Sequence, residues 1–226
     1  MKITYYGHSC FSVIAGDKHL LFDPFITGNE LAGDIDISQI PADYIFVSHG
    51  HFDHTLDVVA IAANTGATVI GSWELYKHFA QHGVQKTLPL NPGGKVSLDF
   101  GMIKSVPAQH SSSFPDGSYA GAANGFVVKT ASGNFYYSGD TALTLDMTLI
   151  KKFAAIDFAV FPIGDMLTMG VDDAIQAAEF VDTTKIIGVH YDTFGFIKID
   201  KEAAISQFKA NGMILHLPAI GESIEI

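Results

Sequence analysis

One short run of the sequence, residues 44–54, places an apolar stretch directly before a dense set of polar side chains. Its first half, Tyr-Ile-Phe-Val-Ser, is typical of a buried β-strand. Its second half holds three histidines and an aspartate within six residues, namely His49, His51, Asp53 and His54. A protein core rarely buries so many polar groups together without partners. The run therefore predicts a functional site at the end of a strand.

The spacing inside this cluster suits two adjacent metal ions. Residues two apart on an extended chain face the same way, so His49 and His51 can point to one position. Asp53 and His54 can turn with a following helix and face a second position. Imidazole nitrogen and carboxylate oxygen are ligands that zinc accepts. The alternative, a polar helix start capped by Asp53, accounts less well for the density of the cluster.

Strands and helices alternate along both halves of the chain. In the first half, the pattern predicts strands at 3–6, 11–15, 20–22, 44–48, 68–71, 95–98 and 103–107, and helices at 55–63 and 73–82. In the second half, it predicts strands at 125–130, 134–138, 158–161, 185–189 and 213–216, and helices at 147–153, 172–180 and 201–210. In both halves a hydrophobic strand runs into an aspartate, Asp23 or Asp140.

This order predicts an α/β fold. Two similar β-then-α halves are expected to form a four-layer αβ/βα sandwich, in which two mixed β-sheets pack face to face with helices on the outside. No linker or low-complexity tract interrupts the chain, so residues 1–226 are expected to form a single domain. The segment 24–43 has little periodicity, which is typical either of a functional lid or of a surface loop.

The charge balance restricts the partners of the chain. The formal net charge is −11, and the 13 basic residues are all lysines. Nucleic acids are normally bound by clusters of positive charge, so we expect no nucleic-acid partner. Without arginine, the chain lacks the bidentate clamp often used on phosphates and carboxylates. An acidic exterior around a metal-bearing pocket favours a small-molecule substrate.

The same sequence indicates where the protein resides. No apolar run approaches the roughly 18 residues of a membrane span, so we expect no integral membrane segment. The first residues are typical of a strand rather than of a signal peptide, which predicts a cytoplasmic protein. The single cysteine, Cys10, excludes an internal disulfide and fits a reducing compartment. The sequence also permits a homo-oligomer.

The run at 49–54 matches His-x-His-x-Asp-His, the signature of the metallo-β-lactamase superfamily, and the chain resembles that family over nearly its whole length. The resemblance extends to His110 in Ala-Gln-His-Ser, Asp140 in Ser-Gly-Asp-Thr and His190 in Gly-Val-His-Tyr. It implies one metal bound by His49, His51 and His110. It implies a second metal bound by Asp53, His54 and His190, with Asp140 bridging both.

Finer motifs narrow the resemblance. Gly7-His8-Ser9-Cys10, Asp23-Pro24 and the segment 162–170 are similar to a group of compact prokaryotic metal-dependent hydrolases, relatives of ascorbate-6-phosphate lactonase. The resemblance implies two divalent metal ions, with Zn²⁺ in first place and Mn²⁺, Fe²⁺ or Ni²⁺ as alternatives. It leaves the natural substrate open.

Two metals predict a hydrolytic mechanism. A hydroxide that bridges them would be the nucleophile, cleaving a small ester, lactone, amide or phosphodiester. Asp53 is the candidate for orienting that hydroxide, and Asp23 is a candidate acceptor for the N–H of a ligand histidine. His8 is either a second catalytic candidate near the metals or a histidine in a turn. The alternative function is a non-hydrolytic metal-binding module or a di-iron redox site on the same scaffold.

Several other residues have two interpretations. They are candidates for lining the substrate pocket, but they can equally pack in the core or form structural loops. These residues are Tyr191, Phe194, Phe196, Asp165, Thr168, Met169 and residues 111–113. His78 and His82 lie four apart on a predicted helix. That spacing permits a metal site but is more typical of a solvated helix face.

Overall fold

The computed structural model describes residues 1–226, which form two seven-stranded sheets and six α-helices. In the first half, the strands are β1 (Lys2–Gly7), β2 (Cys10–Ala15), β3 (Lys18–Phe22), β4 (Tyr44–Phe46), β5 (Thr68–Gly71), β6 (Thr87–Pro89), β7 (Lys95–Leu98) and β8 (Gly101–Pro107). In the second half, they are β9 (Asn124–Thr130), β10 (Gly133–Tyr137), β11 (Phe158–Pro162), β12 (Lys185–Val189), β13 (Ile214–His216) and β14 (Ser223–Glu225).

The helices are short and lie between these strands. They are α1 (Phe52–Thr55), α2 (Val58–Thr65), α3 (Trp73–Gln81), α4 (Ile150–Phe153), α5 (Val171–Val181) and α6 (Lys201–Ala210). Three 3₁₀ turns add to them, at Glu30–Ala32, Ile37–Gln39 and Leu145–Leu149. None of these helices has the length and apolar character that crossing a bilayer demands.

Both sheets are mixed and share one plan. The first sheet has the order β14-β1-β2-β3-β4-β5-β6, and the second has the order β13-β12-β11-β10-β9-β8-β7. In the first, β1, β2 and β3 pair antiparallel, whereas β3 to β6 run parallel. In the second, β7 to β10 pair antiparallel and β10 to β13 run parallel.

Alternating side chains divide the molecule into four layers. On β4, Phe46 belongs to the apolar core between the sheets, whereas Ile45 packs on the outer side with residues of α2 and α3. On β11, Phe158 lies in the same central core, whereas Phe161 packs outward with residues of α5 and α6. This alternation has the period of two that a strand imposes. The predicted αβ/βα sandwich is therefore confirmed.

The central core draws on both halves of the chain. Phe22 of the first sheet contacts Phe126 and Phe135 of the second, with ring centroids 6.3 and 5.7 Å apart. Neither sheet can bury this face without the other. The shared core supports our proposal that residues 1–226 form one domain.

Element ends differ from the predicted ones where the chain makes tertiary contacts. The predicted helix 55–63 is two helices, α1 and α2, which Asp57 separates while its carboxylate accepts the backbone N–H groups of Ile26 and Thr27. The predicted strand 44–48 ends at Phe46. The Val47 N–H still donates to Ile70 O, but the Ser48 N–H donates to the Asp23 carboxylate at 2.7 Å instead of to the sheet. The predicted helix 147–153 begins as a 3₁₀ turn.

Two short strands escaped prediction. β6 and β14 have three residues each, and each lies at an edge of the first sheet. Three residues show too little alternation to be distinguished from a loop. Segment 24–43 holds two 3₁₀ turns and is anchored by the buried side chains of Phe25 and Ile26.

The fold brings six strand ends to one edge of the sandwich. Parallel strands share their direction, so their carboxyl ends meet at the same edge of a sheet. The residues that follow these ends are His8 after β1, Asp23 after β3, His49 after β4, His110 after β8, Asp140 after β10 and His190 after β12. The predicted site residues therefore converge although they are far apart in sequence.

The stacked rings between the sheets should carry a large share of the stability. Phe22 is fully buried, and its ring centroid lies 4.7 Å from that of Phe11 and 4.9 Å from that of Phe46. We expect Phe22→Ala to lower the free energy of unfolding by about 3–5 kcal/mol, since it removes apolar contacts and leaves a cavity. Urea denaturation at one fixed metal concentration measures this difference.

The matched control is Leu145→Ala, because the Leu145 side chain is 76% exposed. Its free energy of unfolding should change by no more than about 0.5 kcal/mol. A loss below about 1 kcal/mol for Phe22→Ala would contradict a close-packed core between the sheets.

Candidate metal centre

The carboxylate of Asp140 lies at the centre of the converging side chains. Its Oδ2 is 3.0 Å from His190 Nε2, 3.2 Å from His54 Nε2 and 3.7 Å from His110 Nε2. Asp140 and His190 are 2% and 1% exposed. One buried oxygen is thus within reach of three imidazoles that come from three separate segments.

Two groups of donors lie around Asp140, and a third group, Asp23, His49 and His54, overlaps both of them. In each group, the potential ligand atoms lie within 4.8 Å of one another. The first group is His49, His51 and His110. The second group is His8, Asp53, His54 and His190. The structure therefore brings together all seven predicted metal ligands, and it adds His8 to the second group.

The donors at this centre fit divalent metal ions. Among the buried side-chain atoms that lack a hydrogen-bond partner are His54 Nε2 and Asp140 Oδ1. An unpartnered buried polar atom costs free energy, which a bound cation would offset. Five imidazoles and two carboxylates, the seven predicted ligands, are a donor set that zinc and similar metals accept.

Burial keeps part of this set in the neutral form that binds metals. It lowers the pKa of His49 well below its ordinary value and also lowers the pKa of His110. At His54, burial also opposes protonation, but the carboxylates of Asp140, Asp53 and Asp23 outweigh it and raise the pKa. A positive charge is therefore strongly favoured at this point, and a metal ion would compete with the proton for the His54 lone pair.

Asp23 organises the layer behind the ligands. Its buried carboxylate accepts four hydrogen bonds: from Ser48 N at 2.7 Å, Ser48 Oγ at 2.5 Å, Tyr137 Oη at 2.6 Å and His54 Nδ1 at 2.8 Å. The contact with His54 is the one expected from the sequence. Because His54 donates from Nδ1, its Nε2 faces the centre and can bind a metal ion that displaces the Nε2 proton.

Ser48 extends the same arrangement to His49. The Ser48 hydroxyl donates to Asp23 and lies 2.9 Å from His49 Nδ1, so it can accept the Nδ1–H. His49 Nε2 is then free to bind metal, beside His51 Nδ1 at 2.9 Å. Neither Ser48 nor Tyr137 was predicted from the sequence, because their contacts depend on how the two sheets meet.

Backbone strain is concentrated at the centre. His8, Asp23 and His190 have φ values of 52°, 42° and 56°, in the left-handed region that side chains with a Cβ rarely adopt. Each such residue costs free energy that packing must offset, and strain of this kind clusters at functional sites. The sharp turns direct these three side chains from the strand ends into the site.

His8 is buried against the second ligand group. Its Nε2 lies 3.0 Å from Asp53 Oδ2, and its Nδ1 lies 3.0 Å from Thr193 Oγ1. Burial lowers the pKa of His8 to about 4, against the opposing effect of the Asp53 contact. A neutral His8 can donate from Nε2 to Asp53 while it accepts from the Thr193 hydroxyl at Nδ1.

A cavity of about 650 Å³ opens directly onto the centre. Among the predicted pocket residues, Ser111, Ser113, Phe194 and Phe196 line it. Tyr191, Asp165, Thr168 and Met169 do not line it. Tyr191 instead packs in the outer core and stacks on Tyr5, with ring centroids 6.3 Å apart.

The sequence did not predict three apolar side chains of the cavity lining, which are Phe52, Phe114 and Leu167. Phe52 lies inside the histidine motif, and the sequence carried no other signal that its side chain lines the cavity. Outside this centre, His78 stacks on His82 and on Phe114, with ring centroids 4.1 and 3.9 Å apart. This histidine pair lines a separate groove that shares Phe114 with the cavity.

Comparison with known proteins identifies the family. A family model described as a beta-lactamase superfamily domain matches residues 19–191. The chain belongs to this superfamily. A UPF0173 metal-dependent hydrolase from Christiangramia forsetii is 51% identical over the full length of both chains, and one from Flavobacterium johnsoniae is 49% identical over the same extent.

A solved structure agrees with this assignment. Igni18, a metallo hydrolase from the hyperthermophilic archaeon Ignicoccus hospitalis, superposes with a TM-score of 0.88 at 29% identity, covering 99% of this chain and 97% of its own. The chain is therefore a metal-dependent hydrolase of the β-lactamase superfamily, and the resemblance drawn from its motifs is confirmed.

Replacing the Asp23 carboxylate should weaken metal binding without unfolding the chain. Asp23→Asn keeps the side-chain size but replaces one acceptor oxygen by an NH₂ donor, so the hydrogen bonds that orient His54 and Ser48 cannot all form. We expect metal affinity to fall about 10- to 100-fold. Competition against a chromogenic chelator measures this change.

The matched control is Asp43→Asn. Asp43 accepts the backbone N–H of His19 at 2.8 Å and is not among the potential metal ligands. Its metal affinity should match that of the unmodified protein. Equal affinities in both variants would mean that Asp23 does not orient the ligands.

Proposed function

We propose that this hydrolase binds two divalent metal ions, with zinc in first place, and cleaves a small ester, lactone, amide or phosphodiester. The observation that carries the proposal is the position of Asp140. Its Oδ2 lies 3.7 Å from His110 Nε2 in one donor group and 3.2 and 3.0 Å from His54 and His190 Nε2 in the other. A carboxylate in this position can be shared between two cations.

The proposed ligands divide as the two groups do. His49, His51 and His110 would hold one metal, Asp53, His54 and His190 the other, and Asp140 both. A pair of bound cations lowers the pKa of coordinated water toward neutrality and polarises a carbonyl or phosphoryl oxygen. Mn²⁺, Fe²⁺ and Ni²⁺ are alternatives to Zn²⁺, because the same nitrogen and oxygen donors bind them.

The chain's own residues would orient the reactants. The Oδ2 of Asp53 is hydrogen-bonded to His8 Nε2 at 3.0 Å. The other carboxylate oxygen, Oδ1, would orient the attacking water. Ser111 lines the cavity, with its hydroxyl 3.4 Å from His51 Nε2, so it can donate a hydrogen bond to a substrate oxygen. Asp53, itself a proposed ligand, is thus the proposed catalytic residue, and His8 is the proposed positioning residue that contacts it.

The cavity size supports a small-molecule substrate, since about 650 Å³ lies in the range of small-ligand sites. The net charge of −11 opposes nucleic acid as a partner. A cytoplasmic location and a homo-oligomeric state stay predictions. The alternative function is a di-iron redox site, which would favour more carboxylate ligands. Only two of the seven proposed ligands, Asp53 and Asp140, are carboxylates, and this argues against the alternative.

Metal analysis combined with turnover tests the proposal. Protein purified without added metal should hold about two equivalents of divalent metal, and a chelator should abolish hydrolysis of a generic ester or phosphodiester. We expect His51→Ala to lose most metal and turnover while the chain stays folded, because His51 is a partly exposed ligand rather than a core residue. Elemental analysis, initial rates and circular dichroism measure these effects.

His78→Ala is the matched control, since His78 lies in the neighbouring groove and outside both donor groups. It should keep metal content and turnover. Unchanged metal and turnover in His51→Ala would refute the ligand assignment. Protein that neither retains nor rebinds metal and shows no turnover would refute the dinuclear hydrolase.

Variants of His8 test its positioning role. His8→Ala removes the donor to Asp53, so we expect the affinity for the second metal to fall about 10- to 100-fold. His8→Gln keeps an N–H donor of similar reach and should restore much of that affinity. Metal titration gives the two dissociation constants. Equal loss of thermal stability in both variants, with both metal affinities unchanged, would indicate that His8 only fills space.

A further inference from the structure

We propose that the substrate carries a neutral, medium-length acyl chain, which binds against an aromatic wall beside the metal centre. This inference rests on the proposed function, because it specifies the substrate class of the same site. The apolar wall consists of Phe52, Phe114, Leu167, Phe194 and Phe196.

The apolar wall is assembled from four separate segments. Phe52 starts α1, Phe114 follows β8, Leu167 follows β11, and Phe194 and Phe196 follow β12. Segments far apart in sequence therefore each contribute an apolar side chain to one cavity that ends at the metal ligands. Such convergence on a single concave surface is typical of a binding site.

Three of these five side chains are unusually exposed for their type. Phe52, Leu167 and Phe196 are 49%, 48% and 53% exposed. Single exposed apolar residues are common on proteins, but several on one surface beside a reactive centre indicate a binding surface. A bound apolar group would remove this surface from water, which stabilises the complex.

The rings hold one another in place before any ligand binds. Phe194 stacks on Phe196 with ring centroids 5.7 Å apart, and it lies 6.3 Å from Phe52. The buried Phe25 contacts Phe52 edge to face at 5.5 Å. Such ring pairs stabilise a fixed arrangement, so the ligand would not need to order the apolar wall.

The charges lining the cavity argue against an anionic substituent. No lysine lines the cavity, and the chain has no arginine. The ionised groups in its lining are the metal-ligand carboxylates of Asp53 and Asp140. A negative group away from the metals would lose hydration without gaining a cationic partner, which costs free energy. The hydroxyls of Ser111 and Ser113 suit a neutral carbonyl oxygen instead.

A matched series of p-nitrophenyl esters tests the inference by turnover. The acetate and hexanoate esters differ by four methylene groups. The adipate monoester has six carbons like hexanoate, but a carboxylate replaces its terminal methyl group. We expect kcat/KM, corrected for uncatalysed hydrolysis, to be about 10- to 100-fold higher for hexanoate than for acetate. The adipate monoester should be at least about tenfold poorer than hexanoate.

Variants assign the preference to the apolar wall. Phe196→Ala and Leu167→Ala should lower the ratio of kcat/KM for the hexanoate ester to kcat/KM for the acetate ester severalfold, because the removed side chains contact the longer acyl chain. Leu145→Ala is the control, because it removes an exposed leucine that does not line the cavity. A hexanoate preference that persists in both wall variants would overturn the assignment of the wall.

A binding measurement separates this inference from the proposed function. Acetohydroxamic and hexanohydroxamic acid, titrated calorimetrically into zinc-loaded protein, should differ at least about tenfold in Kd, and Phe196→Ala should remove most of the difference. Esters left uncleaved, with this difference intact, would refute ester hydrolysis but support the apolar site. Equal affinities, or hydrolysis that favours the acetate or adipate ester, would overturn the inference.

Discussion

The buried carboxylate of Asp23 connects the two sheets to the metal centre, and the orientation of the site depends on its hydrogen bonds. It is fully buried, and its donors come from both sheets: Ser48 and His54 follow β4, and Tyr137 ends β10. A buried charge is tolerated only when hydrogen bonds replace its hydration, and here four of them do so. The same four bonds therefore join the sheets and orient His54 and His49, two of the proposed metal ligands.

The centre and the core support each other through this contact. Tyr137 belongs to the aromatic core between the sheets, and its hydroxyl reaches Asp23 at the edge of that core. Packing of the core thus sets the position of the acceptor, and the acceptor sets the ring orientation of His54. The backbone at His8, Asp23 and His190 has positive φ values, which cost free energy. Packing around these three residues offsets that cost and keeps their side chains directed into the site.

The cavity combines two environments that favour different parts of a ligand. Close to Asp140, the donors concentrate negative and neutral groups that suit cations. A short distance away, the lining turns to phenylalanine and leucine without a lysine. Polar chemistry and apolar recognition are therefore adjacent, which is how small-ligand sites usually fix both the reacting bond and the orientation of the substrate.

Alternating side chains predicted the αβ/βα sandwich and most strands, and the dense motif from His49 to His54 predicted where the site lies, whereas His110, Asp140 and His190 were identified through the resemblance to the family. Alternating side chains and a dense histidine motif are local patterns, so no knowledge of the fold is needed to find them. Packing between distant segments settled the rest: Phe52, Phe114 and Leu167 line the cavity, Tyr191 lies in the core, and β6 and β14 form the two edges of the first sheet. A loop phenylalanine or a three-residue strand has the same local sequence whether it faces solvent, a core or a cavity, because its neighbours come from distant segments.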